Sequence, residues 1–112
     1  MKEVKMIQGE EWIKKSEVKR RAVKTSQFYL PPTQRQLARY NMKQSDYDDL
    51  YIRQGQACCI YGNNGAALFV NHDHRTGNVR GLLCTRCSGI LGFAGDDARI
   101  LQNAIAYLEY FT

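Results

Sequence analysis

The sequence predicts a small α+β domain in which a short β-hairpin is flanked by helices and preceded by a basic helix or arm. Three observations predict it. Two short β-tolerant apolar segments, Ala66–Val70 and Asn78–Leu83, are separated by turn formers, a hairpin pattern. Apolar residues recur at helical spacing before and after them, at Tyr47, Leu50 and Tyr51 and again at Ile100, Leu101, Ala104, Ile105 and Leu108,. The positive charge is confined to one end: residues 1–43 hold eleven Lys/Arg against four Asp/Glu, net +7, and the rest holds five against seven, net −2. A chain of 112 residues has the length of one domain. No apolar run reaches the ~20 residues of a membrane span, and the start lacks an apolar signal core, so a soluble cytosolic protein is expected.

From Lys14 to Lys24 six of eleven residues are basic, and helix formers dominate. Pro31 and Pro32 end what precedes them, because proline donates no hydrogen bond and biases its predecessor to extended geometry. Residues 1–32 are therefore assigned to the arm and 33–112 to the compact domain. Within the domain a short helix is expected over Thr33–Tyr40. A second follows near Asp46–Gln54, opened by a Ser45/Asp48 capping box and closed at Gly55,. Gly62-Asn63-Asn64-Gly65 is a turn signal before the first hairpin arm,. Asp96 or Asp97 stands where the terminal amphipathic helix needs an acidic N-cap.

The chemistry concentrates in two places. Four cysteines lie at 58, 59, 84 and 87, and without a secretion signal they point to metal before disulfides. Cys84-Thr85-Arg86-Cys87, after a strand and before a helix, has the form of a zinc knuckle. A thioredoxin-type redox pair needs a βαβ context that is absent. The partner pair is irregular, because the position three after Cys58 is Tyr61. Two outcomes stay open: zinc on three thiolates and a fourth ligand of another kind, or a metal-free cluster of buried cysteines packed with Tyr61. Both histidines fall in Asn71-His72-Asp73-His74, followed by a turn carrying Arg75 and Arg80. Two histidines spaced by two on a strand share a face, where one can take a proton from water while the other holds a phosphate. The basic start, with Lys19, Arg20, Arg21 and Lys24 at its centre, suits a polyanion partner.

The run from Tyr40 to Leu108 resembles the recombination endonuclease VII family of HNH nucleases, which is common in phages. The resemblance lies in Tyr51–Gly55, in Val70–Ser88 and in Leu91-Gly92 with Gly95-Asp96-Asp97, and it spans about two thirds of the chain. Its centre joins the histidine pair, a T-G-x-V-R-G-L-L turn and the closing C-x-x-C. The resemblance implies a ββα-metal (HNH) core gripping one catalytic Mg²⁺ or Mn²⁺ and braced by a structural zinc. By position it makes His72 the general base, His74 the phosphate-contacting histidine, and Cys58, Cys84 and Cys87 three of the zinc ligands.

The chain departs from the family pattern where metal chemistry is concentrated. Asn71 stands where the family has Asp and Ser88 where it has Asn, the two protein ligands of the catalytic ion. Tyr61 stands where the family has a zinc cysteine. Replacing a carboxylate by an amide removes formal charge that a hard cation relies on; Asp73 is the nearby carboxylate that could substitute. Two function classes follow. One is a DNA endonuclease with weakened metal binding, for which the family resemblance suggests branched DNA as substrate. The other is a catalytically degenerate module that binds nucleic acid, or a host or phage protein, through the arm and the basic residues Arg75 and Arg80. Neither needs a membrane, and for a phage-encoded chain the expected place is the bacterial host cytoplasm.

Overall fold

A computed structural model describes Trp12, Ile13 and residues 29–62 and 67–112. From residue 29 on, the described residues form, in order, α1 (Gln34–Arg39), α2 (Gln44–Arg53), β1 (Phe69–His72), β2 (Val79–Leu83), α3 (Thr85–Phe93) and α4 (Ala98–Tyr110). The expected α+β class is observed. No helix among the described residues is long and apolar enough to cross a membrane. Lys19, Arg20, Arg21 and Lys24 and the turn residues Asn63, Asn64 and Gly65 lie outside the described residues.

Helix α1 begins where expected, because the Thr33 hydroxyl accepts the Gln36 N–H at 3.0 Å and relieves one donor that the first turn cannot satisfy. Helix α2 starts earlier than the Ser45/Asp48 pattern predicts. Asp46, not Asp48, turns back to accept the Lys43 N–H at 2.8 Å, making Lys43 the N-cap. Asp48 instead accepts the Tyr29 hydroxyl, so tertiary contact takes the carboxylate that the local pattern reserved for the cap. The face of Tyr47, Leu50 and Tyr51 is buried as the spacing predicts, and Gly55, at φ +68°, ends the helix in a conformation glycine adopts without penalty.

β1 and β2 pair antiparallel, with Val70 opposite Leu82 and a register shift between Asn71 and His72. β1 starts later than the apolar run suggested, at Phe69. An isolated two-stranded ribbon is marginal in water, since both outer edges expose unpaired backbone groups. Two glutamines cover those edges. Gln36 Oε1 accepts the Val70 N–H at 2.8 Å on the outside of β1. On the outside of β2 the fully buried Gln54 accepts the Leu82 N–H at 2.9 Å and donates to the Leu82 carbonyl at 3.0 Å, as a third strand would. Its amide also donates to the Ala57 carbonyl at 2.9 Å. Gly81 permits this approach, because a Cβ there would lie 3.3 Å from Gln54 Oε1.

The core gathers Leu37, Met42, Tyr47, Leu50, Leu68, Val70, Val79 and Leu82 with all four cysteines, and Ile13 packs against it. Trp12 Nε1–H donates to the Cys59 carbonyl at 3.0 Å. Trp12, Ile13 and Tyr29, all within the expected arm, are thus joined to the body. Helix α4 is amphipathic as predicted, yet none of its residues is buried. Its N-cap is Asp97, whose carboxylate accepts the Arg99 N–H at 2.9 Å.

Replacing Gln54 by Leu keeps the volume but leaves the Leu82 N–H without its acceptor inside the protein. Each buried polar group so stranded costs about 1–3 kcal/mol. The urea unfolding midpoint of Gln54→Leu is therefore expected to drop by an amount equivalent to roughly 3 kcal/mol, with a further loss of secondary-structure signal from the hairpin. A midpoint within error of the parent would remove the edge-capping role.

Candidate active site and cysteine cluster

His72 is the last residue of β1, and His74 sits in the loop that follows. That loop is held by Asp73. Its N–H donates to the Asn78 carbonyl at 2.8 Å and its carbonyl accepts the Gly77 N–H at 2.7 Å, while its carboxylate accepts the Arg75 N–H at 2.8 Å. The chain folds back so that the two imidazole rings lie edge to face, centroids 4.6 Å apart. Tyr40, at the end of α1, places its ring 5.1 Å from His72. Asn71, His72 and His74 from the hairpin and Ser88 from α3 then line one cavity of about 260 Å³ together with Tyr40 and Asp96.

The charges of this cleft are tied together. Arg80 on β2 donates through Nε to Asn71 Oδ1 at 2.8 Å and through Nη2 to Asp96 at 3.3 Å. Asp96 also lies 3.1 Å from His74 Nδ1. A carboxylate only accepts, so Nδ1 carries the proton in this contact and Nε2 is left for a ligand. His72 is held below the ordinary histidine range by burial first, then by the positive charges of His74, Arg80 and Arg39, with Asp96 acting in the opposite direction. This favours the neutral imidazole, the form that can accept a proton.

Asp96 was legible in the sequence only as a cap for the last helix. It takes a left-handed backbone, φ +58°, directly after Gly95, and this turns its carboxylate toward the hairpin. Asp is among the few residues that tolerate such a φ. The sequence signal was the doubled acid Asp96-Asp97: one carboxylate caps α4 and the other is free for the cleft. Arg39 and Tyr40 carried no signal, because only the packing of α1 beside β1 brings them near His72.

The cleft does not fit a hard divalent cation in this arrangement. Asn71 Oδ1 is already bonded to a guanidinium, Ser88 offers only a hydroxyl, and the Asp96 carboxylate is shared between Arg80 and His74. The Asp73 carboxylate faces its own turn and Arg75. Ions such as Mg²⁺ require carboxylate oxygens not already neutralised by a cation, and a second cation beside Arg80 would be repelled.

A second cluster lies behind the hairpin. The sulfurs of Cys58, Cys84 and Cys87, all buried, lie within 4.8 Å of one another, compatible with the ~3.8 Å S···S spacing of a tetrahedral site with 2.3 Å metal–sulfur bonds. Cys84 caps α3 and Cys87 lies in its first turn. Cys58 Sγ accepts the Cys84 N–H and the Tyr61 N–H, both at 3.4 Å. Burial raises the Cys58 thiol, but the backbone N–H groups of Cys84, Tyr61 and Ile60 outweigh it and bring the net shift below the usual value. Cys87 is pushed up to about 12 by burial and by its two cysteine neighbours, the mark of three thiols too close to ionise together without a cation. Cys59 is outside the cluster, its sulfur directed toward Gly81. The Tyr61 ring is half-exposed and lies under the Arg86 guanidinium, 5.5 Å from its centroid. Three soft ligands suit a thiophilic divalent ion. Loading with Co²⁺ is expected to produce a thiolate-to-metal absorption band and a higher unfolding midpoint, both lost in Cys84→Ser. Absence of the band together with an unmoved midpoint would leave a metal-free packed cluster.

The "Gene 59 protein" of Mycobacterium phage D29 is 49% identical over 77 residues, covering 65% of this chain and 47% of the relative. Its counterpart of the same name in Mycobacterium phage L5 is 45% identical over 76 residues, covering 64% and 46%. The chain spans about half the length of these relatives. No solved structure matches it. Residues 33–110 match the family model of recombination endonuclease VII, which takes in the hairpin, the histidine cleft and the cysteine cluster, and the chain belongs to that family.

Proposed function

We propose that this chain is a phage DNA-binding protein on an HNH nuclease scaffold, whose histidine cleft holds a phosphodiester while the metal-dependent hydrolysis of the family has been weakened or lost. The observation that carries the reading is the Asn71–Arg80–Asp96–His74 network. It keeps a cationic, hydrogen-bonding pocket intact and gives the amide that replaced the metal-binding carboxylate a guanidinium for a partner. In this reading His74 Nε2 and the outer edge of Arg80 meet the phosphate oxygens, with Arg75 beside them on the loop. Residues 33–112 form the HNH domain. Residues 1–32 form a basic extension whose Lys19, Arg20, Arg21 and Lys24 meet phosphates or an acidic protein surface. Cys58, Cys84 and Cys87 would hold a structural Zn²⁺, with a non-cysteine group completing the site at Tyr61.

A second reading, surviving hydrolysis, is favoured by one feature: burial and the neighbouring positive charges favour the neutral form of His72, the form that takes a proton from water. The two readings separate by experiment. Under the first, the chain binds duplex DNA without Mg²⁺ and does not nick it. The double variant Asn71→Asp, Ser88→Asn then gains Mg²⁺- or Mn²⁺-dependent nicking that His72→Ala abolishes, because a charged ligand and a longer amide return to the cleft. Nicking by the unaltered protein that disappears in His72→Ala would overturn the first reading and support the second. Absence of DNA binding would overturn both.

The arm is tested separately. Each phosphate contact contributes roughly 0.9 to the slope of log K against log salt. Changing Lys19, Arg20, Arg21 and Lys24 together to Gln is expected to flatten that slope by about 3 to 4, while preference among DNA sequences is unchanged. An unaltered slope would return the arm to solvated surface.

A further inference from the structure

Beside the histidine cleft lies a second cavity, of about 310 Å³, whose walls are Trp12, Ile60, Leu83 and Leu91 and whose polar side is Asn71 and Arg80. Asn71 and Leu91 line both cavities, so the two are neighbours across a shared wall. Trp12 lies outside the residues matched by the family model, 33–110, and nothing in the histidine chemistry uses it. Its ring is 46% exposed, yet it is not loose. The indole N–H is fixed on the Cys59 carbonyl at 3.0 Å, and the Cys59 N–H is in turn fixed on the Leu82 carbonyl of β2 at 3.1 Å. Trp12 is thus tied through Cys59 to β2 with nearly half of the residue open to solvent, apolar surface that a ligand would cover with a gain.

We propose that this cavity receives one unpaired nucleobase of the DNA whose phosphate the histidine cleft holds. Three features select that occupant. The walls are apolar and one of them is the indole of Trp12, an aromatic face on which any base can stack. The polar side presents a guanidinium, which donates to base-edge acceptors and sits over π-systems. Arg80 belongs at once to this cavity and to the network of the phosphate cleft, so a base here and a phosphate there belong to one backbone. A paired base is stacked and cannot enter, so the site selects DNA in which a base is already free. The inference rests on the DNA-binding reading above and adds to it the kind of DNA.

Trp12 is the chain's single tryptophan, so its fluorescence reports on this cavity alone. The test titrates the intact protein with two duplexes differing by one unpaired 2-aminopurine inserted in the middle of one strand. Binding of the duplex carrying the unpaired base is expected to quench both Trp12 and 2-aminopurine emission and to be about tenfold tighter, the order expected of one base stacked on one aromatic ring. Trp12→Ala should remove that preference and leave affinity for the fully paired duplex unchanged. Trp12→Phe, which keeps a ring but not the N–H bond, should retain part of it. Binding of both duplexes with equal affinity and unmoved fluorescence would overturn this inference while leaving the DNA-binding reading in place. Failure of the unaltered, folded protein to bind either duplex would overturn both.

Discussion

The structure depends on one buried side chain, the amide of Gln54. Two strands of four and five residues cannot satisfy their own edges, and no third strand lies beside them among the described residues. Gln54 supplies the missing ladder by closing on both backbone groups of Leu82. The constraint reaches in two directions. The Leu82 carbonyl also takes the Cys59 N–H, which fixes the segment carrying Cys58 and the carbonyl that holds Trp12. Along β2 the same anchoring fixes Arg80, two residues before Leu82, and so the charged network of the cleft. A glutamine suits this place better than a hydrophobic residue because a buried polar network stabilises only when each member is paired.

Asn71 changes what the cleft can hold without dismantling it. A carboxylate at that position would carry a formal charge toward a divalent ion. The amide carries only a dipole, and here its oxygen faces Arg80. The only carboxylate in the cavity wall is then Asp96, shared by an arginine and a histidine. The groups lining the cleft are therefore bound to one another, Asn71 to Arg80 and Asp96 to both Arg80 and His74, and the two imidazole centroids stay 4.6 Å apart.

The cysteine cluster follows a related logic. Cys84 and Cys87 are placed by the start of α3, and Cys58 is brought to them by backbone N–H groups that stabilise its sulfur as an anion. Beside the cluster Tyr61 contributes its N–H to Cys58 and its ring to Arg86. Its backbone thus serves the site even though its side chain is no thiolate.

The sequence by itself determined the elements whose signals are local. A short helix near Thr33–Tyr40, the buried face of Tyr47, Leu50 and Tyr51 in α2, and the Cys84/Cys87 pair at a helix start were all readable, because neighbours a few residues apart decide each of these. The histidine pair and the family resemblance rested on contiguous residues for the same reason. What the tertiary structure alone decided involves partners far apart in the chain. Asp48, expected in a capping box, is instead bonded to Tyr29; of the two acids offered as the last cap, Asp97 takes it and Asp96 joins His74 and Arg80; Gln36 and Gln54 hold the two sheet edges; Trp12, remote in sequence, rests on Cys59. A polar side chain has several local roles open to it, and only the long-range packing that buries it leaves one set of partners able to satisfy it.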